Sequence, residues 1–367
     1  MTRDDNYLNN RVQIVGRGFI PLFTIDNGKK IICFNKGTFF SIDALSNSRE
    51  EICKFDIGKK RRYAGLVPLL VRRFGINEIK CIKIDDKRAL FNYHKNFFYL
   101  DILNREIIPI NKGSANGSVL NFTNTSIGIL FGDYGYNPDR NEVGIYRIDI
   151  SNKTVQKIYT FPKGKINHIH NIIEDSRNQR IWILAGDFGK SSCIMYTDDF
   201  FKTVNERVSG SQQHRSCNAF PTEKGLIYIT DTPFEENHIV ELSDSSLNNI
   251  VVTNGSCIYS TKFEQYVLYS TTVENQTDEY ENNKNAFKYN LGEGIKDWFV
   301  ELNLFNINNY KQKTILRVKK DILPMLPFQY GCFRFASVND GDYIYFYGQA
   351  VKKYDQVVLR IRKDEII

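Results

Sequence analysis

The stretch FFYLDILNREII at 97–108 decides the fold, because its pattern recurs six more times along the chain. An aromatic or β-branched run is followed by a turn centred on Asp or Asn, then by a second β-rich run. The other copies are FFSIDALSNSREEI (39–52), GIYRIDISNKTVQKI (144–158), IMYTDDFFKTVNERV (194–208), HIVELSDSSLNNIVV (238–252), WFVELNLFNINNYKQKTIL (298–316) and the weak QVVLRIRKDEII (356–367). Their marker residues are Asp43, Asp101, Asp149, Asp199, Asp244, Asn303 and Arg360, spaced 45 to 59 residues apart. That period predicts an all-β, seven-bladed β-propeller, in which each unit is a four-stranded sheet that buries its faces only by stacking on neighbours. A six-bladed ring is the alternative count. Seven units use the whole chain, so residues 1–367 read as one propeller domain.

Working outward, each marker phrase is preceded by further strands. The second strand is recognisable as IGILFGDYG (127–135), RIWILAGDFG (180–189), LIYITDTP (226–233), YVLYSTTVE (266–274) and YIYFYGQA (343–350). Before these come innermost-strand candidates SVLNFT, INHIHNIIED, SCNAFPTE, SCIYSTKF and FRFASVN. Two departures stand out. RRYAGLVPLLVRRFGI (61–76) has helical spacing and ends at Gly75, which predicts a short helix inserted before the inner strand of blade two. The polar segment 274–297 in blade six predicts a face insertion that borders the site or a protein partner. An open ring would expose two sheet edges, so RVQIV or GFIPLFTI near the N-terminus is expected to complete the blade begun by residues 332–362.

Composition narrows the classes. The net charge of +7 is mild for 367 residues, and the basic residues are scattered apart from Lys59-Lys60-Arg61-Arg62 and Arg72-Arg73, so nucleic acid is not an expected partner. No run approaches the ~20 apolar residues of a membrane span. The N-terminus MTRDDNYLNNRVQIV has no apolar segment of a secretory signal, and the seven cysteines form no CxxC pair, so reduced thiols and a cytoplasmic location are expected. A secreted or periplasmic location would follow if a leader had been removed.

The phrase Tyr196-Thr197-Asp198-Asp199-Phe200-Phe201-Lys202-Thr203-Val204 resembles the Asp-box turn of bacterial neuraminidase repeats at Thr197, Asp199 and Thr203. Phe201 replaces its glycine and Val204 its aromatic; residues 147–155 form a looser copy. With GDYGYNPDR, KINHIHN, IWILAGD and GSQQHRS, the stretch 127–245 resembles sialidase-like propellers of bacterial polysaccharide-handling proteins. The resemblance implies a carbohydrate-related role. The three-arginine grip, Tyr–Glu pair and Asp acid of a sialidase are not identifiable in the chain.

Propeller ligands bind where the loop after the second strand and the connection into the innermost strand open on one face. Those positions hold Asp133, Tyr134, Tyr136, Arg140, Asp187, Asp231 and Glu274 after second strands, and Asn167, His168, His170, Gln212, Gln213, His214, Arg215, Tyr330 and Arg334 before or within innermost strands. His168 and His170 are two apart on a strand and should share a face. With Arg215 to hold a sugar carboxylate and Tyr134 or a His to take a proton, His168, His170, His214, Arg215 and Tyr134 form the candidate catalytic set for hydrolysis or β-elimination on an acidic polysaccharide. Asp133, Tyr136, Arg140, Asn167, Asp187, Gln213, Asp231, Tyr330 and Arg334 are the candidate substrate contacts. No resident cofactor is expected, the exception being a divalent metal on His168, His170 and His214. The competing reading is a non-catalytic glycan-binding or scaffolding propeller, with the histidine pair as hydrogen-bonded channel lining and the repeated Asp133 and Asp187 as turn formers. His94 and His238 read as structural and remote from this face, and Asp297 and Glu301 as strand caps.

Overall fold

Seven four-stranded antiparallel sheets follow one another around a ring in the computed structural model, which describes residues 11–275 and 290–367. Blades one to six each use four consecutive strands, innermost first; blade four is His168–Asp175, Arg180–Gly186, Cys193–Thr197 and Asn205–Ser209. Blade seven takes Cys332–Phe335, Tyr343–Gln349 and Val357–Arg362 from the C-terminal end and Gln13–Arg17 as its outermost strand. Of the two closing runs foreseen, RVQIV is the latch, with Gln13 opposite Arg360 and Arg17 opposite Val357. GFIPLFTI instead supplies the innermost strand of blade one, Ile20–Ile25.

The packing follows from strand alternation. In Arg180–Gly186, Ile181, Ile183 and Ala185 join Leu130, Val143 and Ile145 of blade three in one core. Trp182 and Leu184, facing the other way, join Tyr228 and Val240 of blade five in another. A second strand must therefore be apolar on both faces, which is why these strands read as unbroken hydrophobic runs in the sequence.

The markers do not all do the same work. Asp43, Asp101, Asp149 and Asp199 accept turn N–H groups from Ser46, Asn104, Asn152 and Thr203 at 2.8–3.0 Å. In blade five the turn is held by Ser243, whose hydroxyl accepts from Ser246 N–H at 3.1 Å. In blade six Asn306 takes the role foreseen for Asn303, which lies within the strand Phe299–Asn306. Arg360 likewise lies mid-strand. Asp297 caps the start of Phe299–Asn306 through Phe299 N–H, whereas Glu301 is buried inside that strand.

The insertion before blade two is two short helices, α1 (Lys59–Ala64) and α2 (Pro68–Arg73), parted by the turn at Gly65–Val67 where one helix was expected. A third, α3 (Met325–Phe328), packs against α2 ahead of blade seven. Most of the polar insertion foreseen at 274–297 lies outside the described residues. Among the described residues, no helix is long and apolar enough to cross a membrane.

Candidate functional site

His168 and His170 meet at the head of the innermost strand of blade four, with their Nε2 atoms 3.0 Å apart. Each Nδ1 faces a backbone carbonyl, His168 that of Gly135 and His170 that of Ser216, both at 2.9 Å. A carbonyl only accepts, so both Nδ1 atoms carry the proton and both Nε2 lone pairs point into the same space. Asp187 closes that space, with oxygens 3.2 Å from His170 Nε2 and 3.4 Å from His168 Nε2. Three electron-pair donors facing one another need a shared proton or a cation between them. Imidazoles pinned at Nδ1 by carbonyl oxygens are the outer-shell arrangement found around metal-ligating histidines. Among the described residues a second potential donor group, His170, Cys217 and Asp231, shares His170 with the first.

Local backbone sets this geometry. His170 is the extra residue of a bulge: Ile169 pairs with Ala185 and Asn171 with Leu184, leaving His170 without a partner. The bulge turns its ring toward blade five while His168 keeps its own place opposite Gly186. A side chain at Gly186 would meet the His170 ring at 2.4 Å, so only glycine leaves room for it. Asp187 is fixed through its carbonyl, which accepts from Gln212 Nε2 at 2.8 Å and Ser192 Oγ at 2.9 Å. Gln212 is held in turn by Thr232 at 2.8 Å.

Charge is concentrated here. Burial alone pushes the Asp187 carboxyl up, but the Arg215 guanidinium beside it outweighs this and holds it well below the usual carboxylate range. Arg215 lies 3.3 Å from Asp187 and 3.5 Å from Asp231. Burial and Asp231 push Glu274 up to about 7, against the opposing pull of the Ser256 hydroxyl and Arg215. Burial and Asp231 raise the Cys217 thiol, which remains a proton donor to Asp231 at 3.2 Å. Asp231 Oδ1 is buried without a hydrogen-bond partner. Three carboxyl groups, Asp187, Asp231 and Glu274, thus surround one arginine.

Beside the cluster, Tyr134 stands edge-on to His168 with ring centres 4.7 Å apart. It forms one wall of a cavity of about 480 Å³ shared with Lys80, His94, Tyr259, Tyr330 and Arg334. The Tyr134 phenol is raised well above its ordinary value by burial and by Asp187.

The other expected residues separate into distinct roles. His214 does not join the pair; Asp187 stands where it was expected. His214 lies in a single 3-10 turn, Gln212–His214, and burial lowers its basicity. Asp133, in the same Gly-Asp-aromatic-Gly context as Asp187, is spent inside blade three, accepting from Gly144 N–H at 3.0 Å and Tyr146 Oη at 2.9 Å. Asn167 ties the 134–140 loop through Asn137 at 2.9 and 3.2 Å. Tyr136 on that loop is 90% exposed, and Arg140 is half-buried with its carbonyl bound to Gly164 N–H at 2.7 Å. Gln213 bonds Glu235 at 3.0 Å and His238 at 2.9 Å at the rim. Arg334 makes a forked ion pair with Glu78 at 2.6 and 2.9 Å, and Tyr330 meets Tyr259 hydroxyl to hydroxyl at 3.3 Å. His94, expected far from this face, lines the cavity. Cys217, Lys80 and Tyr259 escaped sequence reasoning, since only the pairing of blades brings them to the same face.

The fold and site define a seven-bladed β-propeller with a largely buried histidine–carboxylate cluster at the head of an innermost strand. No protein-family model matches the chain, and no curated protein matches it. The Asp-box likeness therefore stands on local turn geometry, Asp199 accepting from Thr203 N–H and Oγ1 at 2.9 and 2.7 Å, and sialidase-family membership gains no support. Among solved structures, an oligogalacturonate lyase in complex with manganese is similar over 97% of this chain and 94% of its own, at 9% identity and TM-score 0.55. An oligogalacturonate lyase from Vibrio parahaemolyticus has the same coverage and identity, with TM-score 0.54. YCF48 bound to D1 peptide is similar over 96% of each chain at 10% identity and TM-score 0.52. At such identities the likeness is one of fold.

Proposed function

We propose that this propeller is a divalent-cation-dependent, carbohydrate-active protein that cleaves an acidic saccharide by β-elimination. The observation that supports this above all is the convergence of His168 Nε2 and His170 Nε2, 3.0 Å apart, on the two oxygens of Asp187 at 3.4 and 3.2 Å, with both Nδ1 protons committed to carbonyl oxygens. The donor set fits a divalent ion: two neutral imidazoles and one carboxylate leave coordination positions open for a ligand. When bound, such a cation neutralises a uronate carboxylate and so acidifies the proton on the adjacent carbon.

The chain's own groups supply the remainder. Tyr134, Tyr259 and Tyr330 offer aromatic faces to sugar rings along the cavity, and Lys80 adds positive charge there. Arg215 orients Asp187 and Asp231. Glu274, pushed up to about 7, is tuned to accept a proton near neutral pH. In the elimination the base takes the proton from the carbon α to the carboxylate, the C–H electron pair becomes the new C=C bond, and the glycosidic C–O bond on the β-carbon breaks, the leaving oxygen taking a proton from solvent water. Two of the solved structures of similar fold are oligogalacturonate lyases, which is consistent with this reading and does not carry it.

The test is a panel of acidic oligosaccharides with chelated and manganese- or calcium-loaded protein, following reducing ends and the ultraviolet absorbance of the unsaturated uronate. Both signals should require the cation and vanish in His170→Ala. Reducing ends without the absorbance would replace elimination with hydrolysis. Cation-dependent glycan binding without cleavage would move the protein to the binding class, and no cation uptake would overturn the proposal.

A further inference from the structure

Helices α1 and α2 form a hairpin whose two sides differ sharply. One side is anchored: Val71 is buried, and the buried Arg72 bonds Asp321 and the carbonyl of Phe328, and reaches Asp355 at 3.2 Å. The other side presents Tyr63, Leu66, Val67, Leu69 and Phe74 to solvent, each 40–77% exposed within twelve residues. Leu326 of α3, the helix packed against α2, adds another exposed apolar side chain at 54%. Among the described residues the other large exposed hydrophobics, apart from Ile322 just ahead of α3, stand singly along the chain, so this cluster is a property of the hairpin. Around it stand the exposed cations Lys59, Lys60, Arg62 and Arg73, with one acid, Asp56, paired to Arg62 at 3.0 Å.

We propose that this hairpin docks the propeller onto an anionic lipid bilayer, lying in the interface and not spanning it. The apolar side chains are carried by two six-residue helices and the three-residue turn between them, with basic residues interleaved. Their basic surround matches a negative headgroup layer, and a Tyr at the border suits the interfacial zone. Phe74 also edges the Tyr134 cavity, so docking sets that cavity against the membrane. The inference stands independently of any reaction at His168 and His170.

The experiment is co-sedimentation of the full chain with vesicles of phosphatidylcholine alone and of phosphatidylcholine with phosphatidylserine. Binding should occur only to the anionic vesicles and weaken with salt. Each cation removed should weaken it about fivefold, so Lys59→Gln/Lys60→Gln/Arg73→Gln should lose about a hundredfold. Leu66→Ser/Leu69→Ser should lose binding as well while keeping the wild-type melting curve, since both side chains are exposed. No binding to anionic vesicles overturns the proposal. Binding indifferent to the leucine pair also overturns it, reducing the effect to charge adsorption. A wild-type dimer in light scattering that the leucine pair dissolves overturns it in favour of a second copy of this chain.

Discussion

Replacing Asp187 with Asn tests the reasoning about the site most directly. The amide keeps the shape but removes the negative charge facing His170 at 3.2 Å, His168 at 3.4 Å and Arg215 at 3.3 Å. Deleting one partner of a buried charge pair costs about 3–5 kcal/mol. Here the Asp187 side chain is 23% exposed and Arg215 retains Asp231, so about 2–3 kcal/mol is expected. With about 2.1 cal/mol/K of unfolding entropy per residue, the 367-residue chain should melt about 3–4 °C lower. Because the carboxyl is held below its ordinary value of 3.8, its stabilisation is present above that pH and is lost as pH falls through the lowered value. The gap between wild type and variant should therefore close below about pH 4. Cation at a hundred times its dissociation constant should raise wild-type stability by about 2.7 kcal/mol and leave the variant unmoved. Scanning calorimetry in chelator and in excess manganese or calcium reads both effects. A variant that gains as much from the cation as wild type would refute the assignment of Asp187 as a ligand.

Asp133→Ala should destabilise by about 3–5 kcal/mol without changing cation stoichiometry, because it orphans the Gly144, Tyr146 and Asn116 donors inside blade three. Urea unfolding beside metal analysis checks this, and lost cation with unchanged stability would return Asp133 to the site. Glu274 has the opposite sign to Asp187: its folded value is raised from 4.5 to about 7, so its contribution is full below 4.5 and lost as pH rises through about 7. Stability of the chelated wild type should fall between about pH 5 and 8 and that fall should flatten in Glu274→Gln; parallel curves for the two proteins would contradict the burial argument.

The architecture was legible because a blade must repeat its hydrophobic alternation whatever its loops do. Second strands buried on both faces, such as Arg180–Gly186, leave an unmistakable run, and four Asp turns punctuate it. The turns of blades five and six were misplaced because Ser243 and Asn306 perform the same hydrogen bonding with other side chains. At the site, the histidine pair was found by strand spacing, yet the contact depends on a bulge that no residue type announces. Asp133 and Asp187 share a sequence context, and only the neighbouring blade separates them: Tyr146 and Gly144 consume one, while His170 and Arg215 meet the other. The helical insertion was legible, though Pro68 starts a second helix where a single one was expected.

The latch of blade seven has a consequence for how the chain is made. Its outermost strand, Gln13–Arg17, is synthesised early, but its partner Val357–Arg362 appears more than three hundred residues later. At roughly 5–20 residues per second this strand waits some 15–70 s for its mate. During that interval it is a loose β-segment that could pair with another nascent chain. The strand is only five residues long, carries a bulge between Ile14 and Gly16, follows Arg11 closely and ends on Arg17. Shortness, irregularity and flanking charge are the traits that stop an edge from recruiting strangers, so the segment that locks the ring is also built to stay unpaired until the ring is ready.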